Sequence, residues 1–393
     1  MAGVFCDSFA HYNTAGIPLK YSTAGGSIQS ALSHVRTIQT APALSQSLEI
    51  QAGDAPTIIN FTVPVDTAQA YSYASQFYNF AIGIAYQAGA LNGTIYRLWR
   101  NLNISPSPAE LLLYLVLNAD GSLSLFTDGG TLLGSSAAGV ITSGAFYYIT
   151  LSADIGGFSE LTFATVNVTN SAMVSTDVIS VTGFVLADQF IDEIDFGGPV
   201  APDHAWINDF YVQDLSDGST PPLAPNIYAC LPAAVGTALS QWDFLSVGPW
   251  QPNVDDFSLV NAVPPDQSMG IQWNLGYLSG YSSAETEETY NFGCAGLPDG
   301  RGIESIQVLL LYEYQLQLSP PIGGVLYPRI LFQKDSDGNT WAGASSGPNV
   351  PPGTPFLFLP FPNTVDPVAG NPWTISDWKS GVWQAGPTAT APF

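Results

Sequence analysis

Positive charge is what this sequence has least of. It carries 8 Lys+Arg against 32 Asp+Glu in 393 residues, a formal net charge of −24. A nucleic-acid surface needs clustered cations to neutralise phosphates. Arg97 and Arg100 form the only close basic pair, so nucleic acid is excluded as a partner, and a basic membrane anchor with it. Salt adaptation would raise the acids, whereas here the acids are ordinary and the bases are scarce. Charge of both signs amounts to 10%, where an average globular chain has roughly 25%. A surface so poor in charge implies coverage by other subunits. The 46% apolar content is too high for disorder.

Cysteine is also sparse. Cys6, Cys230 and Cys294 show no CxxC spacing, which excludes a disulfide framework or a zinc site and leaves only a Cys230–Cys294 bridge open. No apolar run approaches the ~20 residues of a membrane span. The opening "MAGVFCDSFAHY" has neither a basic n-region nor an apolar h-region, so no signal peptide is expected. No P-loop or GxGxxG follows a strand, and no GxSxG elbow occurs, which argues against nucleotide binding and α/β-hydrolase chemistry.

What is present is turn chemistry. The 38 glycines and 30 prolines are scattered between short alternating runs, the pattern of an all-β sandwich or barrel. "LLLYLVLNADGSLSLF" (111–126) reads as a hairpin turning at Asn118–Ser122. "AFYYITLSAD" (145–154) and "FSELTFATVNV" (158–168) read as a second pair. "STPPLAP" (219–225) has three prolines in seven residues and cannot supply a sheet ladder. The expected domains are therefore 1–219, a linker at 220–225, and a second β-rich domain at 226–393. There, "IQVLLLYEYQLQL" (306–318) alternates as a strand with "LYPRILF" (326–332) as its expected partner. "WTISDWKSGVW" (373–383) should hold one short helix capped by Thr374 or Ser376.

Several stretches invite chemistry. "DEIDFGG" (192–198) puts Glu193 and Asp195 on one strand face, as jelly-roll glycosidases place their carboxylates. A retaining enzyme needs two such groups about 5–5.5 Å apart, but glycines stand where a further glutamate belongs. The stretch is read as an edge strand with its acids in water. "DSDGNTW" (335–341) sets Asp335, Asp337 and Asn339 at calcium-loop positions 1, 3 and 5, but Gly338 and Ser346 break the EF-hand pattern. It is read as a hairpin turn. His11, His34 and His204 lack a catalytic context, and Glu285, Glu287 and Glu288 read as a solvated loop. Catalytic, cofactor and metal residues are accordingly expected to be none.

"HAWINDFYVQDLSDG" (204–218) sets Asp209 in mid-strand. Strict alternation puts Trp206, Asn208, Phe210 and Val212 on one face, and Ile207, Asp209 and Tyr211 on the other. With apolar residues on both faces, this reads as an inner strand, and a buried Asp209 would need a hydrogen-bond partner. The nine tryptophans suit a core, an interface or sugar stacking.

Taken in order, the landmarks resemble tailed-phage virion proteins with an N-terminal concanavalin A-like (LamG-type) jelly roll. "FCDSFAHYNTAGIPLKYS" (5–22) is similar to the family's opening, "LNADGSLSLFTDGGTLLGSS" (117–136) to its hairpin, and "INDFYVQDLSDG" (207–218) to its closing strand. "LPAAVGTALSQWDFLS" (231–246), "WQPNVDDFSLVNAVPPDQSMG" (250–270), "ETYNFG" (288–293) and "DPVAGNPWTISDW" (366–378) resemble landmarks of its second region. Asn208 departs from the family's first aspartate, and "PNIYACLP" (225–232) lacks its basic residue. The resemblance implies a non-enzymatic virion protein at the particle surface, assembled in the host cytoplasm: a tail fibre, adhesin or tail decoration component. Its partners would be other virion proteins, copies of itself and host glycan. The alternatives are a capsid cement protein and a jelly-roll polysaccharide hydrolase.

Overall fold

Among the described residues, alternating sequences and frequent turns fold mostly as strands. The structure, a computed structural model, describes residues 4–9, 27–29, 47–54, 57–60, 78–100, 110–156, 162–186, 190–196 and 204–228 of a first unit. Of a second unit it describes 230, 232–235, 243–244, 271–272, 286–287, 290–292, 297, 302–303, 306–312, 327–334, 339–342, 357–363, 366, 370–380 and 383–390. The units are Met1–Tyr228 and Ala229–Phe393.

The strands of the first unit are β1 Val4–Asp7, β2 Ser27–Gln29, β3 Ser47–Gln51, β4 Thr57–Asn60, β5 Asn79–Ala88, β6 Gly93–Arg100 and β7 Glu110–Leu117. They continue with β8 Leu123–Thr127, β9 Leu132–Ser135, β10 Phe146–Asp154, β11 Phe163–Thr169, β12 Ser175–Thr182, β13 Glu193–Phe196 and β14 His204–Asp214. They form two antiparallel sheets. One runs β12-β11-β10-β5-β14-β3-β2, with β1 also on β14, and the other runs β4-β13-β6-β7-β8-β9. This is the expected all-β jelly-roll sandwich. Apolar inner faces hold the sheets together: Phe196 of the second sheet meets Phe210 of the first edge-on at 4.9 Å. At one rim, a Cβ on Gly134 would lie 2.8 Å from Ile179, so only glycine lets β9 approach β12 this closely.

The hairpin at 118–122 forms as read. Asn118 N–H donates to Ser122 O at 2.8 Å, and Gly121 takes φ 78°. The β10–β11 pair forms too, Leu151 standing opposite Val166.

Strand β14 departs from strict alternation. Ile207 pairs with Tyr86 and Val212 with Ile82, so five steps on β14 match four on β5. Paired residues share a face, so Ile207, Phe210 and Val212 all point into the core, while Trp206, Asn208 and Tyr211 point out. The extra residue is a β-bulge, and Asp209 within it takes φ 44°. The expected grouping of Trp206 and Asn208 with Phe210 and Val212 is thus corrected: the bulge reverses the parity halfway along. The inner-strand reading holds, since β14 lies between β5 on one side and β3 with β1 on the other. Buried Asp209 has the partner it needs, accepting from Ile227 N–H at 3.1 Å.

Residues beyond β14 lie against the outer face of the first sheet. Tyr211 donates to Pro222 O at 2.8 Å, and Thr169 donates to Leu223 O at 3.2 Å. Ala224 and Ile227 cover Tyr148, Tyr211 and Leu215.

The second unit comprises β15 Pro232–Val235, β16 Asp243–Phe244, β17 Ile271–Gln272, β18 Thr286–Glu287, β19 Tyr290–Phe292, β20 Ile306–Tyr312 and β21 Tyr327–Lys334. Then come β22 Asn339–Ala342, β23 Leu357–Asn363, the single described helix α1 Ile375–Lys379, and β24 Trp383–Thr390. The main sheet runs β15-β19-β24-β21-β22 with β18 on β24. Strand β20 pairs with β23, not with β21 as expected. Strand β21 instead takes β24 and β22. Proximity along the chain favours a hairpin partner, but two long-range pairings override it. Thr374 caps α1, its side chain accepting from Asp377 N–H. Trp373 packs against Trp383 at 5.1 Å and against Trp378 and Phe332 at 5.6 Å each.

Candidate functional site

The outer face of the six-stranded sheet carries a row of polar and aromatic groups. Register creates it. Asp195 on β13 stands opposite Arg97 on β6, Arg97 opposite Tyr114 on β7, Tyr114 opposite Phe126 on β8, and Phe126 opposite Leu132 on β9. Strands about 4.8 Å apart make this row about 19 Å long, the scale of an oligosaccharide rather than a monosaccharide.

One end of the row is polar. Asp195 Oδ1 accepts from Arg97 Nε at 2.8 Å, and Oδ2 accepts from Trp99 Nε1 at 2.9 Å. The Arg97 guanidinium also lies over the Trp99 ring, 5.7 Å from its centroid, a cation–π contact. Burial pushes the Asp195 carboxyl above the ordinary carboxylate range, against the opposing pull of Arg97 and Trp99. Glu193, two residues away on the same strand, is buried as well. The other end is apolar. The Tyr114 and Phe126 rings stack at 5.1 Å and 11°, both half-buried, and Leu132 is 52% exposed.

The expectation of an edge strand with solvated acids at 192–198 is therefore corrected. Strand β13 lies between β4 and β6, and Glu193 through Phe196 are all buried. A six-strand ladder covers both backbone edges of β13, which the acid content of the stretch does not reveal. Both Asp195 oxygens accept hydrogen bonds, so Arg97 and Trp99 fix the position of its carboxylate.

The other singled-out residues lie elsewhere. His204 begins β14, where its ring contacts Trp206 at 4.3 Å and its Nε2 meets Glu49. Glu287 lies in β18 and Asn339 in β22. His11, His34, Glu285, Glu288, Asp335 and Asp337 fall outside the described residues. Among the described residues, no three His, Cys, Asp or Glu side chains gather as metal ligands would.

The tryptophans separate. Trp373, Trp378 and Trp383 are core, whereas Trp99 and Trp206 are half-buried on sheet faces. Trp242, Trp250 and Trp273 lie outside the described residues, as does the side chain of Trp341. Sequence reading missed Tyr114 and Phe126. Their one signal is an aromatic at a matching position of each arm of the 111–126 hairpin.

No protein-family model matches the sequence, and no curated protein matches it. Among solved structures, the Ca2+-bound VIP36 exoplasmic/lumenal domain is similar over 56% of this chain and 92% of its own, at 12% identity and TM-score 0.34. Galectin LEC-6 of Caenorhabditis elegans covers 42% of this chain and 94% of its own, at 11% identity and TM-score 0.26. The tail fiber protein gp63.1 of an E. coli phage is similar over 46% of this chain but only 22% of its own, at 11% identity and TM-score 0.24.

Proposed function

We propose that the chain is a non-enzymatic virion protein that helps a tailed phage hold its host, with the outer face of the six-stranded sheet gripping surface glycan. The observation that carries the glycan part is the row from Asp195 to Leu132. It joins a stacked aromatic pair, able to lie against the apolar face of a sugar ring, to an anchored polar cluster able to meet hydroxyls. The virion part rests on the ordered motif resemblance and on the low charge of the surface. A weak sugar contact becomes firm attachment when many copies act together on one particle.

The test is binding of the purified chain to host cells and to extracted envelope glycan. Tyr114→Ala and Phe126→Ala should each weaken retention about ten-fold with the fold intact by circular dichroism, in line with a lost stacking contact of about 1–1.5 kcal/mol. Retention unchanged in both variants removes this face as the site. Sugar release that stops with Glu193→Gln would instead identify a hydrolase. Absence of any glycan binding, together with a fall in capsid melting temperature when the protein is omitted, would identify a cement protein.

A further inference from the structure

The two described arginines of the first unit are both already engaged. Arg97 donates to Asp195 at 2.8 Å. Arg100 donates to Glu110 at 3.2 Å and lies over the Phe190 ring at 5.5 Å. Proteins recognise the carboxylate of an acidic sugar chiefly through a guanidinium whose N–H fork is open to it. On this face the Arg97 charge is matched by Asp195, and the side chains of the two are only 18% and 5% exposed. Glu193 adds a further acid beside them, within a chain of net charge −24. A ligand carboxylate would meet a neutralised cation and an unfavourable long-range field. Neutral sugar hydroxyls meet no such penalty, and the Tyr114–Phe126 platform is uncharged.

We infer that this face selects neutral glycans and rejects sialylated or uronic-acid chains. The inference rests on the glycan-binding reading and names its substrate class. It makes Asp195 a specificity-determining residue: by neutralising Arg97, it withholds the cation that an acidic sugar would need.

The experiment measures the full-length protein against matched pairs of neutral and acidic oligosaccharides, by glycan array and titration calorimetry, between about 0.05 and 0.5 M salt. Expected is at least a ten-fold preference for the neutral member, with affinity changing less than about two-fold across that salt range, since no charge is exchanged. Leu132→Arg places a cation at an exposed position of the same row, where folding is not at stake. It should introduce salt-sensitive retention of the acidic member, and Asp195→Asn should do so by releasing Arg97. A wild-type preference for acidic chains that salt abolishes overturns the inference while leaving glycan binding intact. Failure to bind either member overturns the glycan reading itself.

Discussion

Asp209 sits in the left-handed backbone region at φ 44°, buried, at the point where β14 gains its extra residue. Asp and Asn tolerate this region better than other non-glycine residues. Its backbone carbonyl also accepts from the Tyr148 hydroxyl at 2.8 Å. Asp209→Asn keeps both the backbone tolerance and an acceptor for Ile227 N–H. Asp209→Gly keeps only the first, and Asp209→Ala keeps neither. Urea unfolding should rank them in that order, with Asn costing under about 1 kcal/mol and Ala about 2–3. A ranking with Ala mildest would mean that the bulge does not need this residue.

Asp195 gives a second residue-scale outcome, in pH. Burial raises its folded pKa, so above the ordinary carboxylate value the native state holds a proton that the unfolded chain has lost. The stability this group contributes is full below that value and is lost as pH rises through the folded pKa. The unfolding free energy of the wild type relative to Asp195→Asn should therefore fall from about pH 4 upward. A relative stability that climbs over the same interval would assign the shift the wrong sign.

At the scale of elements, β5 and β14 meet through a glycine. A Cβ at Gly83 would lie 2.1 Å from Tyr211 Cε1 and 2.8 Å from Tyr148 Cε1. Those rings are the floor under Ala224 and Ile227. Gly83→Ala must displace both tyrosines, and overpacking of this kind costs about 1–3 kcal/mol. Thermal melting should register it, and limited proteolysis should show earlier cleavage within 219–228. Elements were also where the sequence was most and least legible. Local signals revealed the 111–126 hairpin, the β10–β11 pair and α1, because each is set by alternation, a glycine turn or a cap within a few residues. The bulge at Asp209 was invisible, since Asn208-Asp209 reads equally well as unbroken strand. The β20–β23 pairing was invisible for another reason: β20 ends at Tyr312 and β23 begins at Leu357, and pattern carries no partner information at that distance. The candidate site suffered most. Glu193 and Asp195 were legible as a pair on one strand face and the tryptophans singly, but only the register of five strands aligns Asp195, Arg97, Tyr114, Phe126 and Leu132 in one row.

For the molecule as a whole, the extent of the first folding unit turns on the proline-rich segment. Its composition suggests an extended connection at 220–225, yet its residues are tied to the jelly roll. Tyr211 donates to Pro222, Thr169 to Leu223, and Ile227 N–H to Asp209. Three hydrogen bonds at about 0.5–1.5 kcal/mol each, together with the apolar cover over Tyr148, Tyr211 and Leu215, make the segment a strap on the outer face of the first sheet. A fragment of residues 1–228 should therefore melt as one cooperative transition. A fragment of residues 1–219 exposes the two tyrosine rings and leaves Asp209, in a buried pocket, without its Ile227 donor. It should lose roughly 3 kcal/mol or more and bind hydrophobic dyes that the longer fragment does not. Equal stability of the two fragments would show that the strap only rests on the sheet, whereas a large difference sets the end of the unit at Tyr228, where the chain's contacts divide.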